Sequence, residues 1–113
     1  MKEPLELLQG TLDLLILHAL TAGPSHGYGI AGAIKGSSND RLIVEDKALY
    51  VSLHRLEERG WVKSSWGVSD NNRRAKYYEL TASGRKALRQ KTADWTAYVA
   101  AVFGVLNPSE ASS

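Results

Sequence analysis

The apolar residues of this chain change their spacing along the sequence, and the order of these spacings restricts the fold more than any other feature. Helical spacing runs through residues 5–59, an alternating pattern replaces it over residues 61–80, and helical spacing returns over residues 82–106. Apolar positions recur about every 3.6 residues on a helix face and roughly every second residue on a strand. The order therefore predicts a mostly α fold with a small β-hairpin between the third and fourth helices.

The first predicted helix spans residues 5–22, where leucine and isoleucine cover almost the whole circumference. A helix that is apolar nearly all round must be covered on more than one side. The core of a chain of 113 residues is expected to cover only one of those sides. The other side, which includes Leu14 and Leu17, is predicted to contact a second subunit.

The second predicted helix follows the break at residues 23–24, with Ser25 as its N-cap. Gly27 and Gly29 lie inside it, and each costs about 1 kcal/mol relative to alanine. Either close packing or the close approach of a ligand to the backbone would compensate. After a loop over residues 36–40, the apolar run at residues 42–44 is a candidate edge strand.

The third predicted helix runs over residues 47–59, with Asp46 as its cap and Gly60 as its left-handed stop. Leucines at positions 49, 53 and 56 form the predicted buried stripe, and the opposite face is the predicted recognition surface for DNA. Its N-terminal half is cationic or neutral, as expected for the end that enters a major groove. The candidates for DNA contact on this helix are Lys47, Tyr50, Val51, His54 and Arg55. Partial core burial of Tyr50 and an intrahelical pair between Arg55 and Glu58 remain alternatives.

The predicted hairpin pairs residues 61–66 with residues 75–80 through a turn at residues 67–74. Its tip is basic, which suits contact with phosphates or with a minor groove. The alternative is an ordinary solvated surface. The candidates for DNA contact here are Asn72, Arg73, Arg74 and Lys76.

Thr81 is predicted to cap a fourth helix over residues 82–106, whose apolar stripe approaches a heptad repeat. The core of a single chain cannot cover so wide a stripe, so the fourth helix is predicted to pair with a second subunit across a two-fold axis. The predicted dimer residues are Leu14, Leu17, Leu88, Trp95, Tyr98, Val99, Val102, Phe103 and Leu106. We accordingly divide the chain into a winged helix-turn-helix domain (1–80), a dimerisation helix (81–106) and a flexible tail (107–113).

The charge distribution supports a nucleic-acid partner. Residues 1–46 carry a net charge of −3, residues 47–91 one of +7 and residues 92–113 one of −2. A basic region of this kind can bind phosphate, although it can also be a solvated surface. With no cysteine, no long apolar run and no signal peptide, the chain is expected to be cytoplasmic and not to span a membrane.

No catalytic motif is present. The chain has no glycine-rich phosphate loop, and its three histidines fall on three different predicted helices. We therefore expect no enzymatic activity, no cofactor and no metal.

Several motifs in order resemble the PadR family of bacterial transcriptional regulators, over residues 5–106. The motifs are Leu8-Gln9-Gly10-Thr11-Leu12, His26-Gly27-Tyr28-Gly29-Ile30, Leu49-Tyr50, Leu53-His54-Arg55-Leu56-Glu57-Glu58-Arg59-Gly60-Trp61, Arg73-Arg74-Ala75-Lys76-Tyr77-Tyr78 and Leu80-Thr81-Ala82-Ser83-Gly84-Arg85.

The resemblance implies a winged-helix homodimer that represses transcription at a palindromic operator in double-stranded DNA, from the branch with one short C-terminal helix. It also implies that the second helix approaches DNA, which makes Ser25 and Tyr28 candidates for phosphate contact. One departure is Val51-Ser52, where the family commonly has proline and alanine; this change could alter operator preference.

Two other functions remain open on the residues alone. A winged helix can serve as a protein-interaction module without DNA affinity. Alternatively, Trp95, Tyr98 and Phe103 could line an aromatic pocket near the dimer interface, which would make the protein a regulator that responds to a small-molecule effector.

Overall fold

The computed structural model of the protein describes Leu5, Leu7 and residues 10–107. These residues form a mostly helical fold with one small antiparallel sheet, which confirms the predicted fold class. The elements are α1 (Thr11–Ala19), a 3-10 turn (Leu20–Ala22), β1 (Ser25–His26), α2 (Gly27–Ser37), α3 (Asp46–Glu58), β2 (Val62–Val68), β3 (Arg74–Leu80) and α4 (Ala82–Leu106).

The sheet has the strand order β1-β3-β2, so the predicted hairpin gains a third strand. In the hairpin, Val62 pairs with Leu80 at the core end and Val68 pairs with Arg74 at the far end. The two residues of β1 pair with β3 on its other side. This short strand joins the start of α2 to the hairpin that forms the wing.

Helix α1 begins at Thr11, whereas the predicted helix began at residue 5; of residues 5–9 only Leu5 and Leu7 lie within the described residues, and neither is helical. Gly10 precedes α1 with a φ of 89°, a left-handed conformation that suits glycine at the residue before a helix. The core of the same chain also covers more of the first helix than predicted, because Ile16, Leu17 and Leu20 are all fully buried in it. Leu17 therefore has no surface to offer a second subunit, which corrects its assignment to the dimer interface.

The caps of α2 and α3 differ from the predicted ones. His26 caps α2, since its Nδ1 accepts a hydrogen bond of 3.0 Å from the backbone N–H of Gly29, while Ser25 lies in β1. Helix α3 begins at Asp46, and the preceding Glu45 makes no side-chain capping bond. Residues 42–44 form no strand; Val44 is instead a buried anchor of the loop.

The corner between α3, β2 and α4 agrees with the predicted stops and caps. Gly60 ends α3 with a φ of 76°. Thr81 Oγ1 accepts a hydrogen bond from the Gly84 N–H and donates one to the Gly60 carbonyl oxygen. Gly84 packs directly on the carbonyl of Trp61, where a Cβ would have no room. This corner joins the winged helix to the base of α4.

The C-terminal part of α4 extends away from this core. From residue 92 to residue 106, every residue except Trp95 and Gly104 is exposed. Of the predicted tail, only Asn107 lies within the described residues. None of the helices in the described ranges is long and apolar enough to cross a membrane.

Candidate nucleic-acid interface

The two faces of α3 separate as predicted. Leu49, Leu53 and Leu56 are buried in the core. On the opposite face, Lys47, Tyr50, Val51 and His54 are exposed. His54 lies 3.6 Å from Glu58, one turn further along the same surface. The exposed face is therefore available for a partner along its whole length.

Arg55 is an exception among the candidates on α3. Its Nη2 donates to Asp13 Oδ1 of α1 at 2.6 Å, and its Nε donates to Asp13 Oδ2 at 3.2 Å. A further bond joins it to the buried Ser52. The hydrogen bond to Asp13 and the attraction of its charge raise the pKa of Arg55 above its ordinary value. Arg55 thus links two helices of the same chain through its Nε and Nη2, and its ion pair is with Asp13 and not with Glu58; its contact with DNA stays a prediction.

A cleft of about 790 Å³ separates the wing from the start of α2 and from α3. The wing contributes cationic and aromatic side chains, α2 contributes its N-terminal residues and α3 contributes Tyr50. Its polar, charged or aromatic lining residues include His26, Tyr28, Tyr50, Trp66, Asp70, Arg73, Arg74, Lys76 and Tyr78. The cleft is open, concave and dominated by cations, which suits the backbone of a nucleic acid.

Close packing shapes the start of α2. A Cβ on Gly27 would lie 2.5 Å from the Tyr50 hydroxyl oxygen, and one on Gly29 would collide with Ser25 Oγ. Packing therefore accounts for both glycines. Tyr28 is 87% exposed at the edge of the cleft, and the centre of its ring lies 6.5 Å from that of His26.

The wing cations are held in two different ways. Lys76 is half-buried, and its Nζ lies 3.6 Å from Glu57 Oε1 at the end of α3. Glu57 also accepts a 2.5 Å hydrogen bond from Ser64 Oγ, and these two partners lower the pKa of Glu57. Glu57 is therefore not a free acid on an exposed helix surface; it fastens the wing to the recognition helix.

Arg74 has an aromatic partner, whereas Lys76 combines its carboxylate partner with the ring of Tyr78, whose centre lies 5.7 Å from the Lys76 Nζ. The guanidinium carbon of Arg74 lies 4.5 Å from the centre of the Trp66 ring. Asn72 adopts a φ of 59° in the turn, and a backbone bond of 2.8 Å from the Ser69 N–H to the Arg73 oxygen closes it. Arg73 is thereby carried, exposed, at the tip of the wing.

The cleft brings together only some of the predicted DNA contacts. Tyr28, Tyr50, Arg73, Arg74 and Lys76 line it, whereas Lys47, Val51 and His54 lie on the adjoining exposed face of α3. Ser25 is half-buried in β1, and Asn72 lies in the wing turn outside the cleft lining.

Sequence reasoning did not single out Trp66 and His26 as cleft residues. The alternation of β2 could have indicated Trp66, because it is in phase with the buried Val62.

A second surface lies on α4. Tyr98, Val99, Val102, Phe103 and Leu106 are exposed apolar residues, as is Val105, which the sequence analysis did not select. Leu88 is half-buried and packs against the core, so its side chain serves the monomer. Between α1 and α4 lies an open groove of about 480 Å³, whose lining includes Leu14, Trp95 and Tyr98.

Comparison with known proteins agrees with this architecture. Residues 16–90 match the family described as "Transcriptional regulator PadR-like family". A transcriptional regulator from Clostridium thermocellum, Cth-833, superposes with a TM-score of 0.76 at 31% identity, over 83% of this chain and 91% of that one.

Two further relatives extend the comparison. A PadR family transcription regulator from Clostridium difficile gives a TM-score of 0.72 at 28% identity, over 86% of this chain and 99% of that one. "Uncharacterized protein X" of Lysinibacillus sphaericus is 30% identical over 91 residues, which are 80% of this chain and 83% of the relative.

The family consists of winged-helix transcription regulators that bind DNA, not of enzymes. In the described part of the chain, no group of three potential ligands is placed to hold a metal ion. With the winged-helix architecture, the basic cleft and a family match that covers residues 16–90, this chain belongs to the PadR-like family of transcriptional regulators.

Proposed function

We propose that this protein is a homodimeric repressor that binds a palindromic operator in double-stranded DNA. The observation that carries the proposal is the cationic and aromatic cleft between the wing and the recognition helix α3. The exposed face of α3 beside it is accessible to base edges in a major groove. Chromosomal DNA, the proposed partner, places its action in the cytoplasm.

The residues proposed to contact DNA fall into two groups. Lys47, Val51 and His54 project from α3, where Lys47 can reach guanine acceptors and Val51 can contact a thymine methyl group. The second group follows the phosphate backbone from the cleft and the wing, and consists of Tyr28, Tyr50, Asn72, Arg73, Arg74 and, more weakly because of its ion pair, Lys76.

The proposed dimer uses α4 and the adjoining edge of α1. Exposed apolar side chains continue to the end of α4, where the core of the same chain offers no cover. A second copy would bury them, and a two-fold axis would place two recognition helices for a palindrome. We propose residues 1–80 as the DNA-binding unit and residues 81–106 as the dimerisation helix, with Leu14, Trp95, Tyr98, Val99, Val102, Phe103 and Leu106 at the interface.

Binding to labelled genomic fragments, including the DNA upstream of its own gene, tests the proposal at two salt concentrations. We expect tight binding to one palindromic fragment, a steep loss of affinity at higher salt, and further loss in Arg73→Ala/Arg74→Ala. The matched control is Lys86→Ala/Arg89→Ala, which removes the same charge from an exposed part of α4 outside the cleft.

A promoter–reporter fusion carrying the fragment then tests repression, with lower expression expected in the presence of the protein. Weak binding without sequence preference, or an equal effect of both double variants, would contradict the DNA proposal. That result would favour a winged helix used for protein–protein contact.

The groove between α1 and α4 favours a second function, a response to an aromatic effector. Its lining combines Leu14, Trp95 and Tyr98 with the charges of Lys91 and Asp94. Titration with anilinonaphthalene sulfonate should quench Trp95 fluorescence in the wild type and leave a Trp95→Phe variant without that response. Unchanged fluorescence in the wild type would remove this candidate.

A further inference from the structure

The pairing of β2 with β3 places a row of side chains on the face of the wing that continues from the core. Cross-strand partners share a face of an antiparallel sheet, and the face repeats every second residue. Val62 and its partner Leu80 are buried in the core, so Trp66 and its partner Lys76 lie on the same face further out. This face is the wall of the cleft opposite α2 and α3.

Trp66 lies beyond the point where the core can cover it. Its residue is 60% exposed, although a buried position would suit an indole better. The guanidinium carbon of Arg74 lies 4.5 Å from the centre of its ring, well within the range of a cation–π contact. The exposed indole therefore contacts a cation that itself lines the cleft.

Arg74 differs from its neighbour Lys76 in what holds it. Lys76 has a carboxylate partner, Glu57, at 3.6 Å. Within the part of the chain that the structure describes, no carboxylate forms an ion pair with Arg74. The indole limits where the guanidinium can go without neutralising its charge.

We propose that Trp66 is a positioning residue that holds Arg74 ready for a phosphate of the DNA backbone. This inference rests on the proposed function and adds a residue to it. Stacking uses one face of the planar guanidinium and leaves its N–H groups, which lie in the plane, for an anion. Two N–H groups of a guanidinium can bind two oxygens of one phosphate. A guanidinium that is already held in position loses less conformational freedom when it binds that phosphate.

The test measures operator affinity and its salt dependence for Trp66→Ala, Arg74→Ala and the double variant. Arg74→Ala should make the negative slope of log affinity against log salt concentration shallower by about 0.9, as expected for the loss of one phosphate contact. Trp66→Ala should weaken binding by about two- to fivefold and reduce the slope in the same direction. In the Arg74→Ala background, Trp66→Ala should have no further effect.

Two variants separate positioning from general damage to the wing. Trp66→Phe keeps an aromatic face and should restore most of the affinity lost in Trp66→Ala. Ser65→Ala changes an exposed side chain on the other face of β2, outside the cleft lining, and it should bind as the wild type does. In the free protein, NMR should show ring-current shifts on the Arg74 side-chain protons, retained in Trp66→Phe and lost in Trp66→Ala.

The outcomes distinguish this inference from the function beneath it. Wild-type affinity in Trp66→Ala, or losses from the two single variants that simply add, would overturn the positioning role while leaving the DNA proposal intact; additive losses would assign Trp66 its own contact with DNA. A wild-type protein that binds no duplex in a salt-dependent manner would overturn both.

Discussion

Glu57 is a single residue on which the position of the wing depends. It lies in the last turn of α3, accepts a hydrogen bond from Ser64 of β2 and pairs with Lys76 of β3. Both partners favour the ionised carboxylate, which is why its pKa is lowered. Its sequence neighbour Glu58 is exposed, and its Oε1 lies 3.6 Å from His54 Nε2.

Stability should therefore depend on pH through Glu57. Because its folded-state pKa lies below the ordinary value of 4.5, the ionised side chain stabilises the fold at neutral pH, and this contribution is lost as the pH falls from that value through the lowered one. Glu57→Gln should reduce the free energy of unfolding at pH 7, and the difference from the wild type should shrink over the acid range. Urea unfolding at several pH values measures it, with Glu58→Gln as the control. A difference that stays constant down to the lowest pH would contradict the assignment.

Gly84 shows how one contact can reverse a helix propensity. Alanine is better than glycine in a helix interior by about 1 kcal/mol. At Gly84, however, a Cβ would run into the backbone carbonyl of Trp61, whereas at Gly32 of α2 it would meet nothing within 4 Å. Gly84→Ala should destabilise the protein by about 1–3 kcal/mol through overpacking, and Gly32→Ala should stabilise it by up to about 1 kcal/mol. Urea unfolding compares the two variants. Equal effects would show that the backbone at Trp61 moves to make room for the new Cβ, and would contradict the predicted overpacking.

At the scale of elements, the hydrophobic pattern predicted the α-helices and the hairpin that the described residues form, but not the 3-10 turn at Leu20–Ala22. It predicted ends less well, because the spacing of the leucines gives no sign that Gly10 takes a left-handed conformation directly before Thr11, where α1 begins. The two-residue strand β1 is too short to show an alternation at all. The cap of α2 was misplaced by one residue, since the ring nitrogen of His26 does what the hydroxyl of Ser25 was expected to do.

The link between α1 and α3 escaped sequence reasoning for a different reason. Asp13 is a carboxylate within an apolar helix, and its partner Arg55 is 42 residues away in the sequence. Only the packing of the two helices brings them together. Arg55 also shows why the angular positions of residues around a helix axis do not by themselves predict which side chains face the solvent. A long side chain on the flank of α3 can turn towards α1.

This link should respond unequally to the removal of its two partners. The side chain of Asp13 is 9% exposed, whereas that of Arg55 is 42% exposed and can turn to water. Arg55→Ala leaves a buried carboxylate with no cationic partner and should cost about 1–3 kcal/mol of stability. Asp13→Ala should cost less, and the double variant should recover part of the loss. Urea unfolding of the three variants measures the cycle. A larger loss in Asp13→Ala would contradict this account.

At the scale of the whole molecule, the sequence predicted the winged helix and the surplus apolar surface, but not how that surplus is divided. Most of α1 is covered within its own chain, because α1 packs against α2, α3 and α4. The surplus therefore lies on the outer half of α4, which leaves this helix as the main proposed route to a dimer. In the proposed dimer, the placement of the two recognition helices on a palindrome would depend on one pair of α4 helices.

Disrupting that pair should separate dimerisation from folding. Phe103 is 54% exposed on the apolar face of α4, while Ala97 is exposed on the opposite side of the same helix. Phe103→Asp should shift the protein from dimer to monomer in sedimentation equilibrium, because a buried aspartate would have to lose its hydration. Ala97→Asp adds the same charge and should leave the dimer intact.

The monomer should keep its fold, since the core of α1, α2 and α3 does not include Phe103. It should also bind a full palindrome no more tightly than it binds an isolated half-site, because the two half-sites, one turn of DNA apart, are no longer contacted by one linked pair of recognition helices. Anisotropy titrations with both duplexes measure this ratio. If Phe103→Asp remained dimeric, or if it kept the wild-type preference for the palindrome, the interface would have to lie elsewhere. The groove between α1 and α4 would then be the next surface to test, with Leu14→Asp in the same two measurements.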